Sequence, residues 1–313
     1  MNLRLWLIKL LVNKIKSIQK VAVIVLQFNN SESTKACLAS ILESLIRPDL
    51  IIVVDNASNP EHLGNLKSFI SDKPEIELIE SSGNSGYSGG NNLGIKRALS
   101  QGVEAVFILN NDVLVAPEMF SQLLKTLNAN PQLGIVGPVS QEGPQKTFGG
   151  QVNWFKSELK HLTKPSASTN QIVYIPGSAM LIRREVFERV GLLDERFFLY
   201  FEDADFSFRA QRAGFLIGID PNTGIQHFVS ASTGRLGENK LLYYHYRNAL
   251  LFQAKNMPLG LSLLIPLWSI WQFSKQIIKS ILQPKKSQTA RAIRQGIIDF
   301  YLGRFGQIKK TFL

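Results

Sequence analysis

From Val21 onward two hydrophobic periods alternate along the chain. The runs "VAVIVLQF", "LIIVVDN", "IELIES", "AVFILN", "GIVGPV", "VYIPGSAMLI" and "FLIGID" have the length and β-branched content of strands. Between them, apolar residues at helical spacing predict helices near 33–46, 61–71, 90–101, 117–129, 184–190 and 203–213. Strands alternating with helices specify an α/β fold, here a Rossmann-like, mainly parallel sheet with helices on both faces. No internal repeat is visible. Residues 141–170, rich in Gly, Pro, Ser and Thr, read as a loop or hairpin excursion.

The two ends carry a different pattern. In "MNLRLWLIKLLVNKIKSIQK", Leu3, Trp6, Leu7, Leu10, Leu11, Ile15 and Ile18 recur at helical spacing, with Arg4, Lys9, Lys14, Lys16 and Lys20 between them. That is a basic amphipathic helix. It is not a secretory signal pattern, because Lys9 splits the apolar run and no small-residue cleavage site follows. Near the other end, "MPLGLSLLIPLWSIWQF" contains two prolines and a glycine and falls short of the roughly 20 apolar residues of a spanning helix. An interfacial or re-entrant seat is expected there, with packing on the protein's own core as the alternative. The chain thus divides into an N-terminal amphipathic helix (1–19), a central α/β domain (20–255) and a basic, apolar helical C-terminal region (256–313).

Charge sharpens this division. The net charge of +11 over 313 residues would suit a nucleic-acid binder, but residues 1–20 and 255–313 together hold +14, leaving the centre near −3. The folded centre therefore lacks the basic face that a phosphate backbone requires. The expected partner of the ends is an anionic membrane surface, on the cytoplasmic face of the plasma membrane. The lone cysteine, Cys37, excludes an intrachain disulfide and reads as core packing.

Ligands of such sheets bind outside the carboxyl ends of the strands. Four predicted strands end in polar clusters: Gln27, Phe28 and Asn29; Asp55 and Asn56; "SSGNSGYSGGNN"; and Asn110, Asn111 and Asp112. Any one reads as a turn, but four in succession converge on one crevice. Asp55 can accept from a nucleotide base or a ribose hydroxyl, with backbone around Phe28 completing the base edge. In the glycine-rich run, Gly83 and Gly86, with Asn84, Asn91 and Asn92, open a helix whose N-terminus favours anionic oxygens. In "FFLYFEDADFSFRAQRAGF", Glu202, Asp203 and Asp205 lie among phenylalanines, where a carboxylate is costly unless paired, metal-bound or working with a raised pKa. Helical spacing pairs Asp205 with Arg209, which leaves Glu202 and Asp203. His227 follows a strand in "GIQHFVS".

The segments "VAVIVLQFNN", "IIVVDNAS", "GNSGYSGGNNLGI", "FILNNDVLV", "IPGSAMLIRREVFERVGLLDERFFLYFEDADFSFRAQRAGF" and "YYHYRNALL" resemble, in that order, glycosyltransferase family 2 and its rhamnosyltransferase-like bacterial branch. The resemblance covers about Val21 to Lys255. It implies a GT-A fold that binds a nucleotide-diphosphate sugar and transfers the sugar, possibly rhamnose, with inversion to a glycan or lipid-linked acceptor. It also implies roles: Asp55 on the base, Asp112 as the last acid of a metal-binding DxD-type motif, His227 completing a Mg²⁺ or Mn²⁺ site, and Asp203 of the Glu202–Asp203 pair as general base. Gly177, Ser178, Tyr244 and Arg247 are expected to meet the acceptor, with packing an equal account of the tyrosine. Two departures stand out: Asn110 replaces the first acid of the metal motif, and Gln27 a more usual threonine. Two other readings remain open here, a sugar-phosphate nucleotidyltransferase and a catalytically silent membrane-surface adaptor.

Overall fold

The computed structural model describes residues 17–165, 172–228 and 237–308. The predicted N-terminal amphipathic helix, Trp6 included, lies almost wholly outside the described residues. Eleven strands are described: β1 Val21–Gln27, β2 Leu50–Asp55, β3 Ile76–Glu80, β4 Ala105–Asn110, β5 Val113–Val115, β6 Leu133–Glu142, β7 Gln145–Thr147, β8 Gly150–Asn153, β9 Glu158–His161, β10 Ala179–Arg183 and β11 Leu216–His227. The α-helices are α1 Ser31–Leu42, α2 Pro60–Ile70, α3 Gly86–Ser100, α4 Met119–Ala129, α5 Arg184–Val190, α6 Glu202–Arg212, α7 Glu238–Asn256, α8 Leu264–Leu282 and α9 Ser287–Tyr301.

The main sheet runs β3-β2-β1-β4-β10-β6-β11-β5, with β7 on β6, while β8 and β9 form a separate hairpin. The first four strands are parallel, as the sequence predicts. The expectation of a mainly parallel sheet fails beyond β4. There β10 lies antiparallel to both neighbours, β5 antiparallel to β11, and β7 antiparallel to β6, so the sheet is mixed. The predicted strand "VYIPGSAMLI" is also shortened to Ala179–Arg183. Pro176 has no N–H for a ladder, and the chain before Gly177 leaves the sheet except for a bridge from Tyr174 to Gly150.

Alternation within each strand sorts the core into two layers. Val21, Val23 and Val25 of β1 pack with Cys37 and Leu38 of α1, Leu66 of α2, and Phe120 and Leu123 of α4. Ala22 and Ile24 face the opposite side, with Ile95 of α3, Val186 and Phe187 of α5, and Phe206 of α6. Both faces of the sheet are therefore covered. A third layer, α7 with α8 and α9, packs behind residues 197–201. Helix α9 crosses α7 so closely that a Cβ on Gly296 would lie 2.6 Å from the Tyr243 carbonyl oxygen.

Strand β11 changes register on β6 between Asp220 and Gly224, which partner the consecutive Pro138 and Val139. The extra residues 221–223 form a bulge, pinned by the Asp220 carboxylate accepting from Asn222 N at 2.9 Å and from Thr126 Oγ1 at 2.5 Å.

Candidate active site

The polar strand ends line one cleft of about 380 Å³ with Phe28, Asn56, Asn84, Gly86, Asn110, Asn111, Asp112, Gly177, Ser178, Glu202, Asp203 and His227 on its walls. These come from seven separated stretches of chain, gathered because the parallel strands end at one edge of the sheet.

Sheet register makes the first constellation. His227 is opposite Val113 in the antiparallel β5–β11 pair, and Gln226 is beside Gln141 of β6. The imidazole is thereby set between Asp112, just before β5, and Glu142, at the end of β6. Its Nε2 lies 3.3 Å from Asp112 Oδ1, and its Nδ1 2.9 Å from Glu142 Oε1. Burial pulls the imidazole pKa down, but the bonds and charges of Asp112 and Glu142 outweigh it and the net shift is upward. Asp112 is 7% exposed, and its Oδ1 faces the imidazole Nε2. Asn111 is tied to α1, its Nδ2 donating to Thr34 Oγ1 at 2.9 Å, and Asn110 N donates to Ser178 O at 2.9 Å. Of the three residues, only Asp112 brings charge to the cleft.

Across the cleft, α6 opens with Glu202 and Asp203. Asp203 accepts from Gly177 N at 2.8 Å through Oδ2 and from Ala204 N at 2.7 Å through Oδ1. Burial raises its pKa, and those backbone donors hold the rise back. Glu202 is raised well above the ordinary carboxylate range, by burial first and the neighbouring Asp203 second, and its Oε2 has no hydrogen-bond partner. The chain reaches this pair through three non-glycine residues in the left-handed region, Phe198 (φ 63°), Tyr200 (φ 72°) and Phe201 (φ 73°). Such conformations cost of order 1–3 kcal/mol each and persist only where the surroundings impose them.

Helix α7 supplies that imposition. Asn248 Nδ2 donates to the carbonyls of Phe197 at 2.6 Å and Leu199 at 2.7 Å, while Arg247 donates to those of Arg196, Phe197 and Gly306. Arg247 is therefore not an acceptor contact. It is wholly buried, and its donors brace the loop from behind. Tyr244 is corrected likewise: it is 2% exposed, stacks on Phe198, and its hydroxyl accepts from Ile308 N.

Around the carboxyl ends of β1 to β3 the structure divides the sequence candidates. Asn56 donates through Nδ2 to Asn84 Oδ1 and Gly86 O and accepts from Ser85 N, stitching the glycine loop to β2. Gly86 needs its positive φ of 74°, and a Cβ there would fall 2.3 Å from Phe198 O. Asp55, 1% exposed, instead turns inward to accept from Gln27 Nε2 and Ser58 N. Gln27 is buried beside it, and Asn29 accepts from Asn59 N. Asn91 and Asn92 are internal as well, bonding Tyr87 O and the chain at Leu193. Gly83 faces open space. Gln27, Asn29, Asp55, Gly83, Asn91 and Asn92 are thus outside the cleft wall.

Among the wall residues that escaped sequence reasoning are Tyr87, Glu142 and His161. Tyr87 donates to Gly177 O at 2.5 Å and its N–H to Phe198 O at 2.6 Å, so it clamps the two segments that hold the carboxylates. It stands in the glycine-rich run, where an aromatic among small residues is a readable signal. Glu142 and His161 reach the cleft only through long-range pairing, which leaves no local mark.

Among the described residues, no three His, Cys, Asp or Glu side chains are gathered for a metal. Asp112 and His227 nevertheless fit as a two-ligand site for a hard divalent ion: a carboxylate oxygen faces an imidazole nitrogen. Mg²⁺-type ions are commonly held by one or two carboxylates with substrate phosphates completing the shell.

A sequence profile described as "Glycosyl transferase family 2" matches residues 22–191. A low-salt glycan biosynthesis hexosyltransferase of Haloferax volcanii is 31% identical over 213 residues, covering 64% of this chain and 66% of the relative, a little under two thirds of that protein's length. A dTDP-rhamnosyl transferase of Shigella flexneri is 29% identical over 224 residues, covering 68% and 74%. A mannosyltransferase of Pyrobaculum calidifontis, solved with GDP-Man and Mn²⁺, superposes with a TM-score of 0.56 over 96% of this chain and 93% of its own, at 16% identity. That last likeness is one of fold.

Proposed function

Because the chain belongs to glycosyltransferase family 2 and is a transferase, we propose that the cleft binds a nucleotide-diphosphate sugar and passes its sugar, with inversion, to a hydroxyl of a glycan or lipid-linked acceptor. The observation that carries this reading is the placement of Asp112 with His227 on one wall and Asp203 on another of a single cleft. The family assignment speaks against the nucleotidyltransferase, and the Glu202–Asp203 pair on the cleft wall speaks against the silent adaptor.

In this reading Asp203 is the general base. Its two backbone donors fix the carboxylate, and burial lifts its pKa toward the range where proton uptake is effective. As the acceptor oxygen bonds to the anomeric carbon, its proton passes to Asp203, and the bond from that carbon to the diphosphate oxygen breaks on the opposite face. No protein nucleophile intervenes, so the configuration inverts. Burial and the neighbouring Asp203 raise the pKa of Glu202, which favours its neutral form and limits a second negative charge beside the base. Asp112 and His227 would hold a divalent ion, which when bound neutralises charge developing on the leaving diphosphate. Asn56, Asn84 and the backbone at Gly86, on the wall of the same cleft, are read as donor contacts.

Rhamnose is the favoured donor sugar, since a relative of 29% identity is named a dTDP-rhamnosyl transferase. The test is a panel of nucleotide sugars, dTDP-rhamnose among them, assayed for slow donor hydrolysis with Mn²⁺ and with chelator. Turnover of one donor, lost in chelator, is the expected result. Binding of no nucleotide sugar across the panel would refute it.

A further inference from the structure

Helix α8 packs the partly buried Ile265, Trp268 and Phe273 against the core of α7 and α9, and carries a second apolar face outward. Its buried residues are polar, namely Ser269, Gln272 and Gln276, packed toward α9 where Tyr301 Oη donates to Ser269 Oγ and Arg294 donates to Gln276 O. Most of its exposed residues, Ser274 and Lys275 apart, are apolar: Leu267 is 63% exposed, Ile270 65%, Trp271 58%, Ile278 56% and Ile281 70%. Helical spacing draws Leu267, Trp271, Ile278 and Leu282 into one stripe, and Leu263 continues it beyond the helix start. A helix on a water-facing surface carries charged and polar residues on its outward side. A contiguous apolar face of this kind marks an interaction site.

Charge identifies what covers the stripe. Lys275, whose Nζ sits over the Trp271 ring at 5.0 Å, and Lys279 flank it, and Lys285 and Lys286 follow its C-terminal end. Between Glu238 and Asp299 the chain holds no acidic residue. A second copy of this face would bring lysines against lysines without a counter-charge. The chain's own residues 1–20, with five Lys/Arg and no acid, meet the same repulsion. An anionic lipid surface matches both features at once, since hydrocarbon takes the stripe and headgroups take the lysines. Among the described residues no helix is long and apolar enough to cross a membrane. We infer that α8 lies in the plane of an anionic bilayer and seats its Leu267–Trp271–Ile278 face among the lipids. This inference is independent of the reading of the cleft.

The test is co-sedimentation of the full chain with vesicles of phosphatidylcholine alone and of phosphatidylcholine mixed with phosphatidylglycerol, with no activity readout. The outward variant Leu267→Gln/Trp271→Gln/Ile278→Gln should bind mixed vesicles about tenfold or more weaker at any salt, with unchanged melting. Lys275→Gln/Lys285→Gln/Lys286→Gln should lose about fivefold per lysine at low salt, and nothing on neutral vesicles. If the apolar variant melts early, quenching by brominated lipid decides instead: it should be strong in the unaltered chain and mostly lost in Trp271→Phe. Absence of binding to mixed vesicles, equal binding by the apolar variant, or quenching unchanged by Trp271→Phe would overturn the inference. So would loss of self-association in the apolar variant while vesicle binding stays the same, which would make the stripe an interface between copies.

Discussion

Replacing Asp203 by asparagine tests the general base, and the structure sets how large the side effects should be. Both carboxylate oxygens accept from backbone N–H groups, at Gly177 and Ala204. An asparagine has one acceptor oxygen, so in either flip its NH₂ must face one of those donors. Leaving one buried donor unpaired costs about 1–3 kcal/mol, and each kcal/mol lowers the melting temperature of a domain this size by about 2–4 °C. Loss of the proton acceptor should lower turnover by about 10² to 10⁴. The two effects separate by assay. Melting gives the first, donor affinity by calorimetry should change little, and kcat measured well below the melting transition gives the second. In the unaltered enzyme the base must be ionised, so kcat/KM should fall as pH drops through the Asp203 pKa, which burial places above the ordinary aspartate value. That limb should vanish in Asp203→Asn. A variant within about tenfold of full turnover, or one that keeps the acid limb, would remove Asp203 from this role.

Asp112→Ala should raise the Mn²⁺ concentration needed for activity far more than His227→Ala, because a carboxylate brings charge to a hard ion and a neutral imidazole does not; full activity in excess chelator would refute both assignments. Tyr87→Phe deletes the hydrogen bond to Gly177 O and frees the segment that aims Asp203, so kcat should fall by about tenfold with KM nearly unchanged; a change confined to KM would show a donor contact instead. Glu202→Gln should raise the melting temperature at neutral pH. The raised folded pKa of Glu202 gives stability that is present below its unfolded value and is lost as pH rises through the folded one, so the gap to the unaltered protein should close toward pH ~4. Melting curves that stay parallel across that range would contradict it.

The half of the sheet that obeys local rules was readable from the sequence. Strands β1 to β4 and helices α1 to α6 fall within a few residues of the hydrophobic pattern, because β1, β2 and β4 are buried on both faces, the edge strand β3 keeps its apolar residues toward the core, and each helix buries one face. Strand direction was not readable. The reversed insertion of β10 between β4 and β6, and the three-residue β5 that holds Asp112 beside His227, depend on contacts between distant segments. The same divide runs through the site. Asp112, Glu202 and Asp203 announce themselves as acids among apolar residues. Asp55 and Arg247 carry equally suggestive chemistry, yet their partners Ser58, Gln27, Phe197 and Gly306 turn them to bracing, and a string of residues does not reveal partners.

The β11 bulge decides where this chain can lengthen or shorten around the site. His227 stands beside Asp112 by sheet pairing, and a strand alternates its faces at every residue. Adding or deleting one residue between Gly224 and His227 would therefore turn the imidazole away and offer a neighbour in its place. Residues 221–223 are already out of register with β6, so a change of length there alters only the size of the bulge. Insertions and deletions in β11 should accordingly be tolerated at 221–223 and purged from 224–227.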